Sequence, residues 1–312
     1  MTVQDLQMTR SSAADTHAVA LSVLIPFYGD DPRPLLEALS RQTDLQTEII
    51  LFDDGVPDPA LSNCVKNAVL GSEAAIRLIT SPKNLGRSAA RNQLGDAAQG
   101  AWLLFLDADM EVEPGFLARW RHHLAETSCD ALFGGYAPST PRSAHETVHA
   151  ALAHASDAPD AATRSALGAA AVCSSNLAVR ASLFAQCRFD EGYTGWGWED
   201  VDWALSASKR GELGHVDAPA AHGGLQDVST LLDKFDRAGA NFARLLIRHP
   251  DYESRPGARL ARKVQATGLA KLARLMGKAL AKTAWAPLKI RVLALKLYRA
   301  GAAARDLPKG RT

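Results

Sequence analysis

Residues 102–109 read Trp-Leu-Leu-Phe-Leu-Asp-Ala-Asp, five apolar side chains running straight into two carboxylates one residue apart. A short unbroken apolar run bounded by polar residues reads as a strand buried on both faces. The same unit recurs upstream. Leu21–Phe27 (LSVLIPF) leads into Tyr28-Gly29-Asp30-Asp31, and Glu48–Phe52 (EIILF) leads into Asp53-Asp54-Gly55, while Ala75–Thr80 (AIRLIT) is a third such run. Between them, Pro34–Arg41, residues near 59–71 and Gly86–Gln99 carry helical patterns. Strand and helix thus alternate four times within about 110 residues, the signature of an α/β fold with a mainly parallel central sheet and helices on both faces. Ligands in such folds bind beyond the carboxyl ends of the strands. Here those ends carry Asp53, Asp54, Asp107 and Asp109, four like charges that are costly together unless cations balance them.

Further along, Ser174–Val179 resembles another strand, a helix is expected from about Glu199 to Arg210, and Gly214–Val216 leads to His222-Gly223-Gly224. Charge divides the chain. Residues 252–312 hold 15 Lys and Arg against Glu253 and Asp306, a net +13; residues 1–251 hold 20 Lys and Arg against 32 acids, a net −12. The acidic body and basic tail therefore meet different partners, and a nucleic-acid binder is not expected of the whole. Four scattered cysteines without a CxxC pair argue against a zinc knuckle or a disulfide framework. The first 19 residues lack a basic segment followed by an apolar run, and no 18-residue apolar stretch occurs. The expected organisation is a flexible lead-in over 1–19, a catalytic domain over 20–250 and a basic amphipathic helical tail over 251–312. The expected location is cytoplasmic, peripheral on the inner face of the membrane.

Several residues carry chemistry. A D-x-D spacing recurs at Asp200 and Asp202, so the spacing alone says little; Asp107 and Asp109 gain weight from following a buried strand. Hard divalent ions such as Mg²⁺ or Mn²⁺ take one or two carboxylates plus substrate phosphates, although such a pair also suits a strand-end turn. Phe189–Trp203 (FDEGYTGWGWEDVDW) packs three tryptophans, three glycines and five acids into fifteen residues. Glu199 and Asp200 there could favour a helix dipole or provide a general base beside an aromatic platform, Trp196 and Trp198, of the kind sugars pack on. Arg87 and Arg91 lie four apart on a helix and suit a solvated face, an approach to a diphosphate or a brace for the acidic rim.

The order of these pieces is what makes them specific. IPFYGD, LLEALSRQT, DDG, NLGRSAARNQLGDAAQGAWLLFLDADMEVEPGFL, the GWGWED stretch and AHGG together resemble the GT-A, family 2-type glycosyltransferases over roughly residues 20–225. GWGWED looks like the G-W-G-x-E-D element of galactosyl- and N-acetylgalactosaminyl-transferring relatives. The resemblance implies a Rossmann-like GT-A fold and inverting, metal-dependent transfer of a sugar from a nucleoside-diphosphate donor, a UDP-sugar, to an acceptor hydroxyl on a glycan or lipid-linked carrier. It implies Asp200 as base with Glu199 beside it. Pro26, Tyr28, Asp53, Asp54, Arg87, Arg91 and Asp107 fall on the donor side, and Trp196 and Trp198 on the acceptor side. Asp107, Asp109 and His222 fall at a Mn²⁺ or Mg²⁺ ion. Two positions depart from the pattern: Gly29-Asp30-Asp31 follows I-P-F-Y, and Val56 stands where a serine is customary after D-D-G. Two other classes compete. A sugar-nucleotide nucleotidyltransferase is expected to show a Gly- and Arg-rich N-terminal loop, and LSVLIPFYGDD has no basic residue. A catalytically silent sugar- or lipid-binding protein would not require both D-A-D acids and Asp200. The tail's separated apolar and basic stripes suit either a membrane surface or packing on the body.

Overall fold

A computed structural model of the chain describes residues 6–13, 18–156 and 160–308. The chain divides into two compact units: Met1–Ala137, Asp157–Glu191 and Trp203–Gly224 in the first, and Pro138–Ser156, Gly192–Asp202 and Leu225–Thr312 in the second. The first half of the chain runs β1 (Gln7–Arg10), β2 (Leu21–Phe27), α1 (Arg33–Ser40), β3 (Thr47–Asp53), α2 (Pro59–Leu70), β4 (Ile76–Thr80), α3 (Arg87–Ala97), β5 (Trp102–Leu106), β6 (Met110–Glu111), α4 (Phe116–Glu126), β7 (Ala131–Phe133), β8 (Tyr136–Ala137) and α5 (Thr147–Ser156). The second half runs α6 (Ala161–Leu167), β9 (Asn176–Arg180), α7 (Ala181–Gln186), α8 (Glu199–Ala207), β10 (Leu213–His215), β11 (Ala220–His222) and α9 (Val228–Arg237). It closes with α10 (Gly239–Arg248), α11 (Pro256–Ala266), α12 (Ala270–Lys282) and α13 (Leu288–Asp306).

The first unit is built on an eight-stranded sheet in the order β1-β4-β3-β2-β5-β9-β7-β10. Strands β4, β3, β2 and β5 are parallel, and β9 runs antiparallel to both β5 and β7. Side chains alternate across the sheet. Val23, Ile25, Ile49, Leu51, Leu104 and Leu106 pack with Trp120 on one face. Leu24, Ile50, Phe52, Leu103 and Phe105 pack with Phe184 and Trp203 on the other. Burial on both faces is why these strands read as unbroken apolar runs. The chain leaves β2 toward β3 and β4, then returns to β5 on the opposite side of β2, so the strand order reverses there and opens a crevice at the carboxyl ends of both. A three-stranded sheet, β6-β11-β8, extends that rim, with His222 paired to Met110.

Residues 1–19, expected as a lead-in, contribute β1, which pairs antiparallel with β4 from Gln7↔Thr80 to Arg10↔Arg77. Ser11 fixes the join, its hydroxyl donating to the Ala74 carbonyl at 2.7 Å and accepting from Ile76 N–H at 3.0 Å. Residues 1–5 and 14–17 lie outside the described residues.

The second unit is helical. Its core gathers Val148, Leu231, Leu232, Phe235, Leu295 and Tyr298. Asp236 on α9 joins Arg274 on α12 and Arg305 on α13, the latter at 3.0 Å. The expected boundary at 250/251 is not where the structure divides: residues 138–156 and 192–202 group with the C-terminal helices. The single helical pattern over 260–282 is broken at Gly268, whose φ of +69° separates α11 from α12. Among the described residues no helix is long and apolar enough to cross a membrane.

Candidate active site

The rim of the first unit begins at Asp53 and Asp54, both buried. Asp53 accepts from Val56 N–H at 2.8 Å and from the Ser62 hydroxyl, tying the D-D-G turn to α2. Asp54 accepts from Leu85 N–H at 2.6 Å, Gly86 N–H at 3.1 Å and the Asn84 side chain at 3.1 Å. Burial pushes the Asp54 carboxyl above its ordinary range even against those backbone bonds. Gly55 completes the turn: its φ is +69°, and a β-carbon there would sit 2.3 Å from the Lys83 carbonyl carbon, so only glycine fits. Of the two acids expected on the donor side, Asp53 thus braces the turn into α2 and Asp54 the loop leading into α3.

Helix α3 reads its own motif. Arg91 is fully buried, stacks over Phe189 at 5.7 Å, and donates from Nη2 to Asp107 Oδ1 at 2.6 Å. Arg87, half-exposed, reaches the other Asp107 oxygen at 3.4 Å. Burial works to raise the Asp107 carboxyl, but the Arg91 and Arg87 guanidiniums outweigh it and hold it below the usual range. Asn92 donates to the Phe189 carbonyl and to Glu191 at 2.9 Å each and accepts from Phe189 N–H at 3.0 Å. The A-R-N triplet is therefore a clamp on both Asp107 and residues 189–191.

Asp109 lies in different surroundings. Its Oδ2 is 3.5 Å from His222 Nε2, and its carbonyl accepts from Gly223 N–H at 2.7 Å. Burial and the charges of Asp107 and Asp30 push the Asp109 carboxyl up, with His222 opposing. The two glycines of A-H-G-G are there for space. A β-carbon at Gly224 would sit 2.1 Å from Asp109 Oδ2, and one at Gly223 would meet the Asp109 carbonyl at 2.9 Å. Tyr136, not singled out by the sequence reading, sets its ring against His222 at 6.4 Å and bonds Ser175 through its hydroxyl. It sits on β8, a two-residue strand too short to carry a pattern. Pro26 and Tyr28 stand at the end of β2, with Tyr28 exposed.

Among the described residues no three His, Cys, Asp or Glu side chains converge to hold a metal by themselves. Of the expected set, Asp109 faces His222, while Asp107 is held by the two arginines. Asp109 and His222 remain as one carboxylate and one imidazole, a donor pair that fits a Mn²⁺- or Mg²⁺-type ion completed by phosphate oxygens.

The remaining expected residues lie in the second unit. Asn241 on α10, itself buried, donates its side-chain amide toward three carbonyls of the T-G-W-G stretch: Thr194 at 2.9 Å, Gly197 at 3.0 Å and Trp196 at 3.4 Å. Asp202 is buried and accepts from Arg248 Nε at 2.7 Å, with His249 Nε2 2.9 Å away. Trp198 has φ +79°, a strained value for a non-glycine residue. Its indole packs on Phe242 at 4.7 Å, with Arg299 over it at 4.7 Å and Tyr252 edge-on at 6.1 Å. Trp196 packs on Phe235 at 6.0 Å under Lys234. Both tryptophans thus anchor the segment to the helices of its unit. Glu199 is buried and Asp200 half-buried in the first turn of α8, where the helix dipole favours negative charge.

Comparison with known proteins gives the fold its kinship. Residues 22–168, just under half of the chain, match the family described as Glycosyl transferase family 2. An uncharacterized glycosyltransferase, YibD of Escherichia coli, is 42% identical over 98 residues, covering 30% of this chain. The chain spans only 27% of that relative's length. Among solved structures, the mannosyltransferase PcManGT from Pyrobaculum calidifontis, in complex with GDP-Man and Mn²⁺, superposes with a TM-score of 0.57 at 16% identity. That match covers 93% of this chain and 88% of the other. Glucosyl-3-phosphoglycerate synthase from Mycobacterium tuberculosis, in complex with Mn²⁺, UDP and glucosyl-3-phosphoglycerate, gives a TM-score of 0.51 at 17% identity over 74% of this chain and 80% of that one. Over residues 22–168 the chain therefore carries a family 2 glycosyl transferase domain, on a GT-A fold.

Proposed function

We propose that the chain is an inverting glycosyltransferase, moving a sugar from a nucleoside-diphosphate donor to an acceptor hydroxyl on a glycan or lipid-linked carrier at the cytoplasmic face of a membrane. The observation that carries this reading is the Asp109–His222 pair, 3.5 Å apart at the carboxyl end of β5, beside Asp107 held by two arginines. Asp109 and His222 would hold a divalent ion. Bound there with a diphosphate, such an ion supplies electrostatic stabilisation of the leaving group.

The chain's own residues do the rest. In the transfer, the bond from the anomeric carbon to the diphosphate oxygen breaks and the acceptor oxygen bonds to the opposite face of the sugar. The acceptor's proton goes to a carboxylate, Asp200, and the diphosphate leaves with the electron pair. Arg87, half-exposed, would turn from Asp107 toward a diphosphate oxygen, whereas Arg91 keeps Asp107 in place. The PcManGT complex carries a GDP-sugar and the mycobacterial synthase carries UDP. For this chain a UDP-sugar of galactose type is proposed, on the GWGWED element.

A panel of UDP-, GDP- and dTDP-sugars, scored for nucleoside-diphosphate release, tests the reading. Release from one donor supports it and names that donor. No release, together with no donor binding by calorimetry, contradicts it.

A further inference from the structure

Helix α12 is inside out for a water-exposed element. The residues it buries are small, Ala273, Gly277 and Ala281, spaced by four on one stripe. The residues it shows to solvent are large: Leu272 (46% exposed), Leu275 (67%), Met276 (49%) and Leu280 (39%). A helix that packs in water ordinarily does the reverse. The close contact with α13 is built in, because a β-carbon at Gly277 would sit 2.8 Å from the Ala294 carbonyl and 2.9 Å from Tyr298. The two helices therefore form a hairpin whose contact stripe is already occupied, and the large side chains are left outside it. The exposed apolar surface continues through the connecting turn, where Trp285 is 89% exposed, to Leu293 on α13 at 63%.

The charge around this surface identifies what covers it. Lys271, Lys278, Lys282 and Lys289 are all exposed on the same two helices, and no Asp or Glu occurs between Glu253 and Asp306. On α12 the lysines lie on one side of the apolar stripe and the small buried residues on the other, so the large side chains and the ammonium groups present adjoining faces. Exposed leucines bordered by lysines, with a tryptophan at the tip, match a surface whose outer layer is anionic and whose interior is hydrocarbon. An acidic protein partner would satisfy the lysines but not the leucines.

We propose that the α12–α13 hairpin docks on an anionic lipid surface, with Trp285 and the outward leucines entering the headgroup boundary and the lysines facing the lipid phosphates. This deepens the lipid-linked acceptor reading, and its assay contains no sugar donor, so either can fail alone.

The test is co-sedimentation of the full chain with vesicles of phosphatidylcholine and of phosphatidylcholine mixed with phosphatidylglycerol. Wild type is expected to pellet with the anionic vesicles and less so as salt is raised. Leu275→Ser/Trp285→Ser/Leu293→Ser should weaken partitioning at least tenfold. Lys278→Glu/Lys282→Glu/Lys289→Glu should weaken it about a hundredfold, since each basic group near such a surface is worth roughly a factor of five. All six side chains are exposed, so thermal melting should stay at the wild-type temperature. Absence of pelleting, or pelleting unchanged in both variants, overturns the proposal. So does a dimer in solution that the apolar variant dissociates, which would assign the face to a second copy of the chain.

Discussion

Arg91 Nη2 donates to Asp107 Oδ1 across 2.6 Å, and this bond divides the two acids of the D-A-D triplet between different tasks. Asp107, at the end of β5, is tied to α3 and holds the rim together; Asp109, two residues on, faces His222. Because Arg91 is fully buried, the pair is a fixed part of the strand-end architecture rather than a solvated contact.

Arg91→Met should therefore destabilise the protein rather than simply slow it. Removing one partner of a buried pair leaves the other charge without compensation, at a cost of about 3 kcal/mol. Chemical denaturation of wild type and variant measures this; equal midpoints would show that the pair is not structural.

Gly224→Ala should injure the site more than the fold. The added carbon would lie 2.1 Å from Asp109 Oδ2 and 3.1 Å from His222 Cε1, so the carboxylate must move. A displacement of this order costs roughly a hundredfold in turnover. Steady-state kinetics across a Mn²⁺ titration should show lower turnover and a weaker apparent metal affinity.

Asp200→Asn keeps the shape of the side chain and removes its basicity. Transfer should fall by about 10²–10⁴-fold, with donor affinity by calorimetry unchanged. Turnover within a few-fold of wild type would remove Asp200 from the mechanism.

The cap on α9 gives a pH-dependent prediction. Asp227 accepts from Thr230 N–H at 2.9 Å, and this backbone bond holds its carboxyl below the ordinary range. A carboxyl depressed on folding adds stability above its unfolded pKa of about 3.9, and that stability is lost as pH falls through the folded value. Asp227→Ala should cost about 1 kcal/mol at neutral pH. The gap to wild type should narrow as pH falls below 4, whereas Asp227→Asn should keep most of the cap.

The four parallel strands were legible because burial on both faces leaves an unbroken apolar run in each. Strand β1 was not, since Gln7–Arg10 is a mostly polar edge strand held by backbone pairing to β4. D-A-D was readable as a place, and the arginines as a brace for the acidic rim, but which acid they would take was not. That choice depends on Arg91 reaching from α3 to the end of β5, a contact between elements that no local pattern encodes. Asp53 and Asp54 likewise read as donor-side acids, and only their bonds to Val56, Ser62, Leu85 and Gly86 show them bracing loops. The grouping of 138–156 and 192–202 with the C-terminal helices follows from such distant contacts as Asn241 with Gly197, and composition carries no trace of it.

The central claim, metal-dependent use of a sugar nucleotide at Asp109, is tested most directly by nucleoside-diphosphate release from the best donor, with Mn²⁺ or EDTA, by wild type and Asp109→Ala. The account predicts release by wild type with Mn²⁺, none with EDTA, and none from Asp109→Ala under either condition. Equal release by wild type and Asp109→Ala, or release indifferent to EDTA, would contradict it.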